Sequence, residues 1–151
     1  MVKGIDTTFL IQVEVACHPA HASSKALLDA MLSRGDSLAL SHQVLPEFIH
    51  IVTDQRRFSE PLSMPRALKR AEAWWHAKEV LPLVTHEDAP RLFLNWMEQH
   101  TLGRNRLLDT MLAATYFCHG VRAIVTSNAR DFAVFGCFEV FTPQDAGQTQ
   151  K

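Results

Sequence analysis

Cysteines are few in this sequence, and their arrangement excludes two classes of small protein. Cys17, Cys118 and Cys137 are the three cysteines, and no two of them form a Cys-x-x-Cys pair. An odd number without that spacing argues against a disulfide framework and against a zinc ribbon. All three lie in apolar stretches, so we expect free thiols buried in the core.

The sequence also lacks a membrane segment and a strong charge of either sign. No apolar run is long enough to cross a bilayer, and Lys3 and Asp6 interrupt the apolar start that a signal peptide needs. The formal net charge is -1, so no overall field attracts nucleic acid, and contact with RNA depends on local basic patches. We expect a soluble, cytoplasmic protein.

The chain does contain a regular alternation of strand and helix patterns. Its 151 residues fit one domain, which we place at residues 1–145, followed by a polar tail at 146–151 that we expect to be disordered. Strands that alternate with helices predict right-handed crossovers and a mostly parallel sheet. The expected strands are 2–5, 37–40, 80–84, 121–126 and 138–141.

Small polar residues and glycines predict where the helices begin and end. Ser41 and Ser63 are expected to cap helices, and Thr85 with Asp88 matches a capping box in which Asp replaces the usual Glu or Gln. Gly120 is expected to end the helix that carries Asp109. The other predicted helices are 7–17, a helix capped by Ser23 or Ser24 that runs to Met31, and 64–78.

Four acids fall at one edge of the predicted sheet. Asp6 ends the first strand, and Asp131 lies in the turn after the fourth strand. Glu47 lies early in the helix after the second strand, and Asp109 opens the helix before the fourth. The carboxyl ends of parallel strands meet at one edge, where ligands bind. Four crowded carboxylates repel one another, so such a group is explained mainly as a site for a hard divalent cation.

Each of these acids has a simpler explanation when it is taken alone. Asp6 and Asp109 suit helix N-termini, where acids favour the macrodipole. Asp131 can cap its own turn, and a lone acid on a helix, such as Glu47, is ordinarily solvated. The functional interpretation therefore rests on the four together.

Glu87 and Asp88 also follow a strand and precede a helix, so topology alone makes them equal candidates for the same edge. Asp88 has a structural role available in the capping box. Glu47, by contrast, is surrounded by apolar residues, which is unusual for a solvated acid. These contexts favour the first four acids.

Three short segments and one isolated acid form a recognisable set: Ile5–Leu10 (IDTTFL), Glu47, Leu108–Thr115 (LDTMLAAT) and Thr126–Phe132 (TSNARDF). They resemble the PIN-domain family, and within it the VapC-type toxins of bacterial toxin–antitoxin pairs. The likeness extends from Val2 to about Pro143. It implies a three-layer α/β/α fold with a central five-stranded parallel sheet, and a single-strand endoribonuclease that depends on Mg²⁺ or Mn²⁺.

The resemblance also implies roles for particular residues. The catalytic acids are Asp6, Glu47, Asp109 and Asp131, of which Asp6, Asp109 and Asp131 are metal ligands. Supporting roles fall to Thr7, Ser127 and Asn128. The expected product ends are 5′-phosphates. The expected partners are an RNA substrate, a cognate antitoxin protein and a second copy of the chain in a homodimer, with no membrane.

Three arginines lie close to the acids in sequence, and their role is open at this stage. Arg104, Arg106 and Arg130 are candidates to bind substrate phosphates. They are equally suited to neutralise part of the acid charge. Trp74 and Trp75 are adjacent on a helix, so one is expected in the core and the other in a partner interface.

Other functions remain to be weighed against the ribonuclease. A receiver domain needs paired acids after the first strand, and a haloacid-dehalogenase-type phosphatase needs an Asp two residues after Asp6, where Thr8 stands. A catalytically inactive PIN-like scaffold that binds a protein or RNA is the main alternative, and retention of all four acids argues against it.

Overall fold

The computed structural model describes residues 1–144, and the predicted tail lies outside the described residues together with residue 145. Strands and helices alternate along the described part of the chain. The strands are β1 Val2–Ile5, β2 Ser37–Ser41, β3 Val80–Leu83, β4 Ala123–Val125 and β5 Glu139–Phe141. The helices are α1 Thr7–Glu14, α2 His21–Ser33, α3 Val44–Val52, α4 Met64–Trp75, α5 Ala89–Gln99, α6 Leu107–Cys118 and α7 Ala129–Ala133. A 3₁₀ helix, Arg104–Arg106, leads into α6.

The five strands form one parallel sheet in the order β3-β2-β1-β4-β5. Helices α1 to α4 pack on one another, and α5 to α7 form a second group. The result is the predicted three-layer α/β/α fold. Ile5 of β1 pairs with Val125 of β4, so the next residues, Asp6 and Thr126, leave the sheet side by side.

A buried tyrosine fixes the ends of β1 and β2 beside that point. The hydroxyl of Tyr116 lies 2.6 Å from the carbonyl oxygen of Ile5 and accepts a hydrogen bond from the Ser41 N–H. A Cβ atom at position 4 would lie 2.7 Å from the Tyr116 ring, so Gly4 is required by close approach. The carboxyl edge of the sheet is therefore held rigidly where the predicted site lies.

Two of the predicted helix ends are confirmed. The Ser63 hydroxyl accepts a hydrogen bond from the Arg66 N–H and caps α4. Gly120, at φ 81°, follows the end of α6 in the left-handed region that glycine adopts readily.

Two predicted caps are wrong. Ser41 ends β2 rather than capping a helix, and α3 begins three residues later without a side-chain cap. The capping box does not form, because the Asp88 side chain makes no capping bond. The Asp88 N–H instead donates to Nδ1 of His86, which supplies a nearer acceptor.

Three predicted helix boundaries also shift. Helix α1 ends at Glu14 rather than near Cys17, because Val15 is already extended. Helix α4 ends at Trp75 rather than at 78. Helix α2 begins at His21, so neither predicted cap, Ser23 nor Ser24, precedes it. Both lie within the helix, where the Ser24 hydroxyl donates to the Gln12 side chain.

The burial of the two tryptophans and of the cysteines agrees only in part with the prediction from the sequence. Trp74 is buried and donates a hydrogen bond to Glu14, whereas Trp75 is half-buried. The cysteines are free thiols, as expected, but Cys17 is exposed, so burial was predicted wrongly there. Over residues 1–144, no helix has both the length and the apolar character needed to cross a membrane.

Candidate active site

Asp6 is the most deeply buried acid at the carboxyl edge of the sheet. Its side chain is 3% exposed. One carboxylate oxygen accepts the N–H of Phe9 at 2.8 Å and so caps α1, and the other accepts the hydroxyl of Thr126. Asp6 is therefore a helix cap and a buried acid at once, and the two interpretations do not exclude each other.

The environment of Asp6 is poorly suited to a lone negative charge. The pKa of Asp6 is raised to about 7. Burial is the main cause, hydrogen bonds from Thr126 and from the Phe9 N–H oppose the rise, and the nearby carboxylates of Asp109 and Glu47 add to it. No ion pair reaches Asp6 from any residue between 1 and 144. Its charge is thus left without compensation.

Asp109 is the acid that connects the group. It lies in the first turn of α6 and is half-buried. The pKa of Asp109 is raised to about 6, mainly by burial and also by the carboxylates of Asp131 and Glu47, while the Arg106 guanidinium opposes the rise. Because Asp109 also acts on Asp6, all four predicted acids interact electrostatically through it.

Asp131 lies on the other side of Asp109 and is tied to an arginine. It sits in α7, with its side chain 34% exposed, and its carboxylate lies 3.7 Å from Nη1 of Arg106. The guanidinium also donates to the backbone carbonyl of Asp131. Arg106 therefore joins the segment that precedes Asp109 to the segment that carries Asp131.

Glu47 completes the group from the opposite side of the sheet. It lies in the first turn of α3 and is half-buried. The start of α3 is joined to the start of α6, since the Gln43 side chain donates to the carbonyl of Leu108 at 3.1 Å. Glu47 therefore faces Asp109 across that contact and raises the pKa of both Asp6 and Asp109.

The structure separates Asp88 from these four acids. Asp88 precedes α5 and raises the pKa of Cys118, which lies in the last turn of α6. Asp109 lies in the first turn of that helix, about 13 Å away along its axis. Topology alone misplaced Asp88, because α5 packs as a hairpin against α6 rather than beginning at the carboxyl edge.

The small polar residues near the acids differ in burial and in hydrogen-bond partners. Thr7 is buried at the start of α1. Ser127 donates to the Gln12 side chain at 2.7 Å, and the exposed Asn128 reaches Thr8 at 3.4 Å. Arg104 and Arg130 are exposed, which leaves their charges facing solvent.

Thr126 is a residue of the site that the sequence analysis missed. It is fully buried, donates to Asp6 and accepts the Asn128 N–H at 2.9 Å. Its place at the end of a strand next to β1 was the available signal, because the same rule selected Asp6.

A divalent cation fits this group by charge and by ligand chemistry. All the donors are carboxylate oxygens, which Mg²⁺ and Mn²⁺ prefer, and the acids carry more negative charge than Arg106 can balance. As placed, however, no three Asp, Glu, His or Cys side chains in residues 1–144 are arranged to hold one ion together. Coordination therefore requires side-chain movement, for which the half-buried Glu47, Asp109 and Asp131 have room.

The chain is similar in sequence to proteins named as VapC ribonucleases. No protein-family model matches the chain. A VapC ribonuclease of Mycobacterium bovis and Ribonuclease VapC43 of Mycobacterium tuberculosis are each 28% identical to it over 110 residues. The match covers 73% of this chain and 75% of each relative.

Solved structures share the fold at lower sequence identity. The toxin–antitoxin pair VapBC-1 of nontypeable Haemophilus influenzae matches with a TM-score of 0.67 at 16% identity, over 95% of this chain and 99% of that one. Mycobacterium tuberculosis VapC20, described as a sarcin-ricin loop cleaving toxin, matches with a TM-score of 0.63 at 20% identity, over 82% and 87%. The resemblance to VapC-type PIN-domain proteins that the motifs indicated is thereby confirmed.

Proposed function

We propose that this chain is a divalent-metal-dependent, single-strand endoribonuclease that acts as the toxin of a toxin–antitoxin pair. The observation that carries the proposal is the uncompensated acid group, in which burial and mutual repulsion raise the pKa of both Asp6 and Asp109. Perturbed acids in such a setting favour a functional site. Relatives named as ribonucleases support the choice of reaction.

In this proposal Asp6, Asp109 and Asp131 hold Mg²⁺ or Mn²⁺ at the carboxyl edge of the sheet. The cation, when bound, supplies a Lewis acid and lowers the pKa of water near the scissile phosphate. Loss of mutual repulsion between Asp6 and Asp109 on binding favours the ionised form of both.

The protein's own groups position the reactants. Thr126 and the Phe9 N–H fix the two oxygens of Asp6, so its carboxylate cannot rotate freely. Glu47, which is half-buried, is suited to orient the attacking water and accept its proton. Hydrolysis then leaves a 5′-phosphate on one product and a 3′-hydroxyl on the other.

The exposed arginines are suited to bind the RNA backbone. Arg104 precedes α6 and Arg130 lies in α7, on either side of the acid group. The net charge of the chain is close to zero, so these local charges supply the attraction for phosphate.

The proposal is tested with purified protein and a single-stranded RNA of mixed sequence. We expect cleavage with Mn²⁺ or Mg²⁺, none with EDTA, recovery when the metal is restored, and 5′-phosphate ends. Asp109→Asn is expected to remove cleavage while the protein stays folded by circular dichroism. Cleavage that persists in EDTA would show that the acids do not act through a metal.

A PIN-like scaffold without catalysis is the second candidate. The observation that favours it is the arrangement of the side chains, since no three metal-binding groups in residues 1–144 are placed to hold one ion. A scaffold would bind RNA or protein but would show no Mn²⁺-dependent cleavage, so the same assay separates the two functions.

We further propose a cognate antitoxin as protein partner and a homodimer as the assembled form. Structures of toxin–antitoxin complexes share this fold, which supports the choice of partner. A small basic DNA-binding protein encoded immediately upstream is the expected antitoxin. Co-expression should yield a complex of the two that no longer cleaves RNA, and light scattering of the free toxin should give twice the chain mass.

A further inference from the structure

Two arginines in one 3₁₀ helix differ sharply in their surroundings. Arg104 is exposed. The side chain of Arg106, two residues later, is only 20% exposed and turns toward α7. Their closeness in sequence suggested a shared role with RNA, but their positions differ too much for one.

The guanidinium of Arg106 is used inside the protein. Nη2 donates to the backbone carbonyl of Asp131, and Nη1 lies 3.7 Å from the carboxylate of the same residue. Its Nε is buried and has no hydrogen-bond partner in residues 1–144. Two of the three guanidinium nitrogens therefore lie against Asp131, and the third is buried in the protein.

Arg106 also has a distinct electrostatic position. Within residues 1–144, it is the one Lys or Arg that forms an ion pair with any of the four acids. It acts on Asp109 as well as on Asp131, so its charge reaches the centre of the group. A single positive charge balances only part of four carboxylates.

We propose that Arg106 is a positioning residue of the acid group rather than a contact for substrate phosphate. It ties α7 to the start of α6, which places Asp131 beside Asp109. Its charge also neutralises part of the acid charge that a divalent cation would otherwise neutralise. This inference rests on the proposed metal-dependent function.

The proposal has a consequence for metal affinity. A cation that binds Asp109 and Asp131 meets the positive charge of Arg106 close by. The Gln side chain is neutral but can still donate to the Asp131 carbonyl, so at position 106 it keeps the tie to α7 while removing that repulsion and leaving the acids with more uncompensated charge. Arg106→Gln is therefore expected to bind Mn²⁺ about fivefold more tightly than the unmodified protein, from one unit charge a few ångströms away in high dielectric.

The matched control is Arg104→Gln, which makes the same charge change two residues away. Arg104 is exposed, so its charge is screened by solvent and salt. Calorimetric titration with MnCl₂ alone should therefore give an affinity for Arg104→Gln within about twofold of that of the unmodified protein. The RNA-binding assay should show the opposite pattern, with the larger loss for Arg104→Gln.

Thermal unfolding supplies a readout other than activity. In EDTA, Arg106→Gln should unfold at a lower temperature, because the repulsion among the acids is then unopposed. Saturating Mn²⁺ should raise its unfolding temperature by more than it raises that of the unmodified protein. A purely structural arginine would lower the unfolding temperature equally with and without Mn²⁺.

The outcomes distinguish this inference from the proposed function. If the unmodified protein binds no Mn²⁺, both are overturned. If it binds Mn²⁺ but Arg106→Gln binds no more tightly, or Arg104→Gln tightens as much, only the role of Arg106 is overturned. Should Arg106→Gln fail to fold, Arg106→Lys keeps the charge and is expected to stay within about twofold in Mn²⁺ affinity, and a clear tightening there would contradict the proposal.

Discussion

The two ends of the sheet treat buried acids in opposite ways. At the amino end, Asp36 pairs with Lys3, which is 3% exposed, and with the amine of Met1 at 3.2 Å. At the carboxyl end, Asp6 is more deeply buried than Asp36 but meets further carboxylates instead of cations. At the amino end the charge of the acid is balanced by cations, whereas at the carboxyl end it is not.

The pKa values express this difference. Burial alone would raise the pKa of Asp36, but hydrogen bonds from Lys3 and from the terminal amine outweigh it and lower the pKa. The pKa of Asp6 rises because no cation offsets its burial. A buried acid with a cationic partner is explained by the fold alone, whereas a buried acid without one supports the proposed cation site.

The largest effect on cleavage is expected when an acid at the carboxyl end of the sheet is neutralised. Asp6→Asn should lower Mn²⁺-dependent cleavage by more than about 100-fold, since the loss of an outer-shell partner of a metal already costs about 10- to 100-fold. Asn caps helices as well as Asp does, so α1 should persist. Cleavage rates and circular dichroism check both statements, and a folded variant that cleaves normally would remove Asp6 from the site.

The matched change at the amino end should affect stability instead of cleavage. Asp36→Asn leaves the buried Lys3 ammonium without its counter-charge, which should lower the free energy of unfolding by about 3 kcal/mol. Urea denaturation measures this loss, and the cleavage rate of the folded protein should not change. A loss of cleavage with unchanged stability would show that the two ends are not distinct.

A smaller effect is expected from the residue that holds Asp6 in place. Thr126→Val removes the hydroxyl that donates to Asp6 and leaves the Asn128 N–H without its acceptor. Cleavage should fall by about 10- to 100-fold, as for other residues that orient a metal ligand. Thr126→Ser keeps the hydroxyl and should retain most of the rate. Equal losses in the two variants would point to packing of the methyl group.

The smallest effect is expected for the exposed arginines. Arg104→Ala should weaken RNA binding modestly and reduce the slope of log affinity against log salt by roughly 0.7 for one lost phosphate contact on a single strand. Fluorescence anisotropy at several salt concentrations measures the slope. An unchanged slope would indicate that Arg104 does not contact phosphate.

The fold class was largely predictable, because strands that alternate with helices imply a parallel sheet with crossover connections. The strand ends at Ile5 and Val125 bring Asp6 beside its neighbours without any knowledge of side chains. The same reasoning failed for Asp88, since it assumed that every helix after a strand begins at the carboxyl edge. The packing of α5 against α6 is a tertiary contact that local sequence patterns do not predict.

The sequence predicted that the four acids lie near one another, but it did not predict their contacts with other residues. The sequence gives no sign that Arg106 turns inward while Arg104 turns outward, because burial depends on where α7 packs. Thr126 was missed because a threonine at a strand end has many uses. Its role depends on its hydrogen bond to the buried Asp6 carboxylate, which lies 120 residues earlier in the chain.

The most direct test of the central claim is the stability of the metal-free protein as a function of pH. The folded pKa of Asp6, about 7, exceeds its unfolded value of 3.8, so the folded state holds a proton between these values that the unfolded state has released. The stability that this proton contributes is present below the unfolded pKa and is lost as the pH rises through the folded pKa.

In EDTA, we therefore expect the free energy of unfolding to fall as the pH rises from about 4 to about 7, between the two pKa values of Asp6, by an amount on the order of a few kcal/mol, and to fall much less in Asp6→Asn. At the higher pH, Asp6→Asn should be at least as stable as the unmodified protein. A flat profile for the unmodified protein, together with a less stable Asp6→Asn, would contradict the account, because Asp6 would then be a satisfied structural cap.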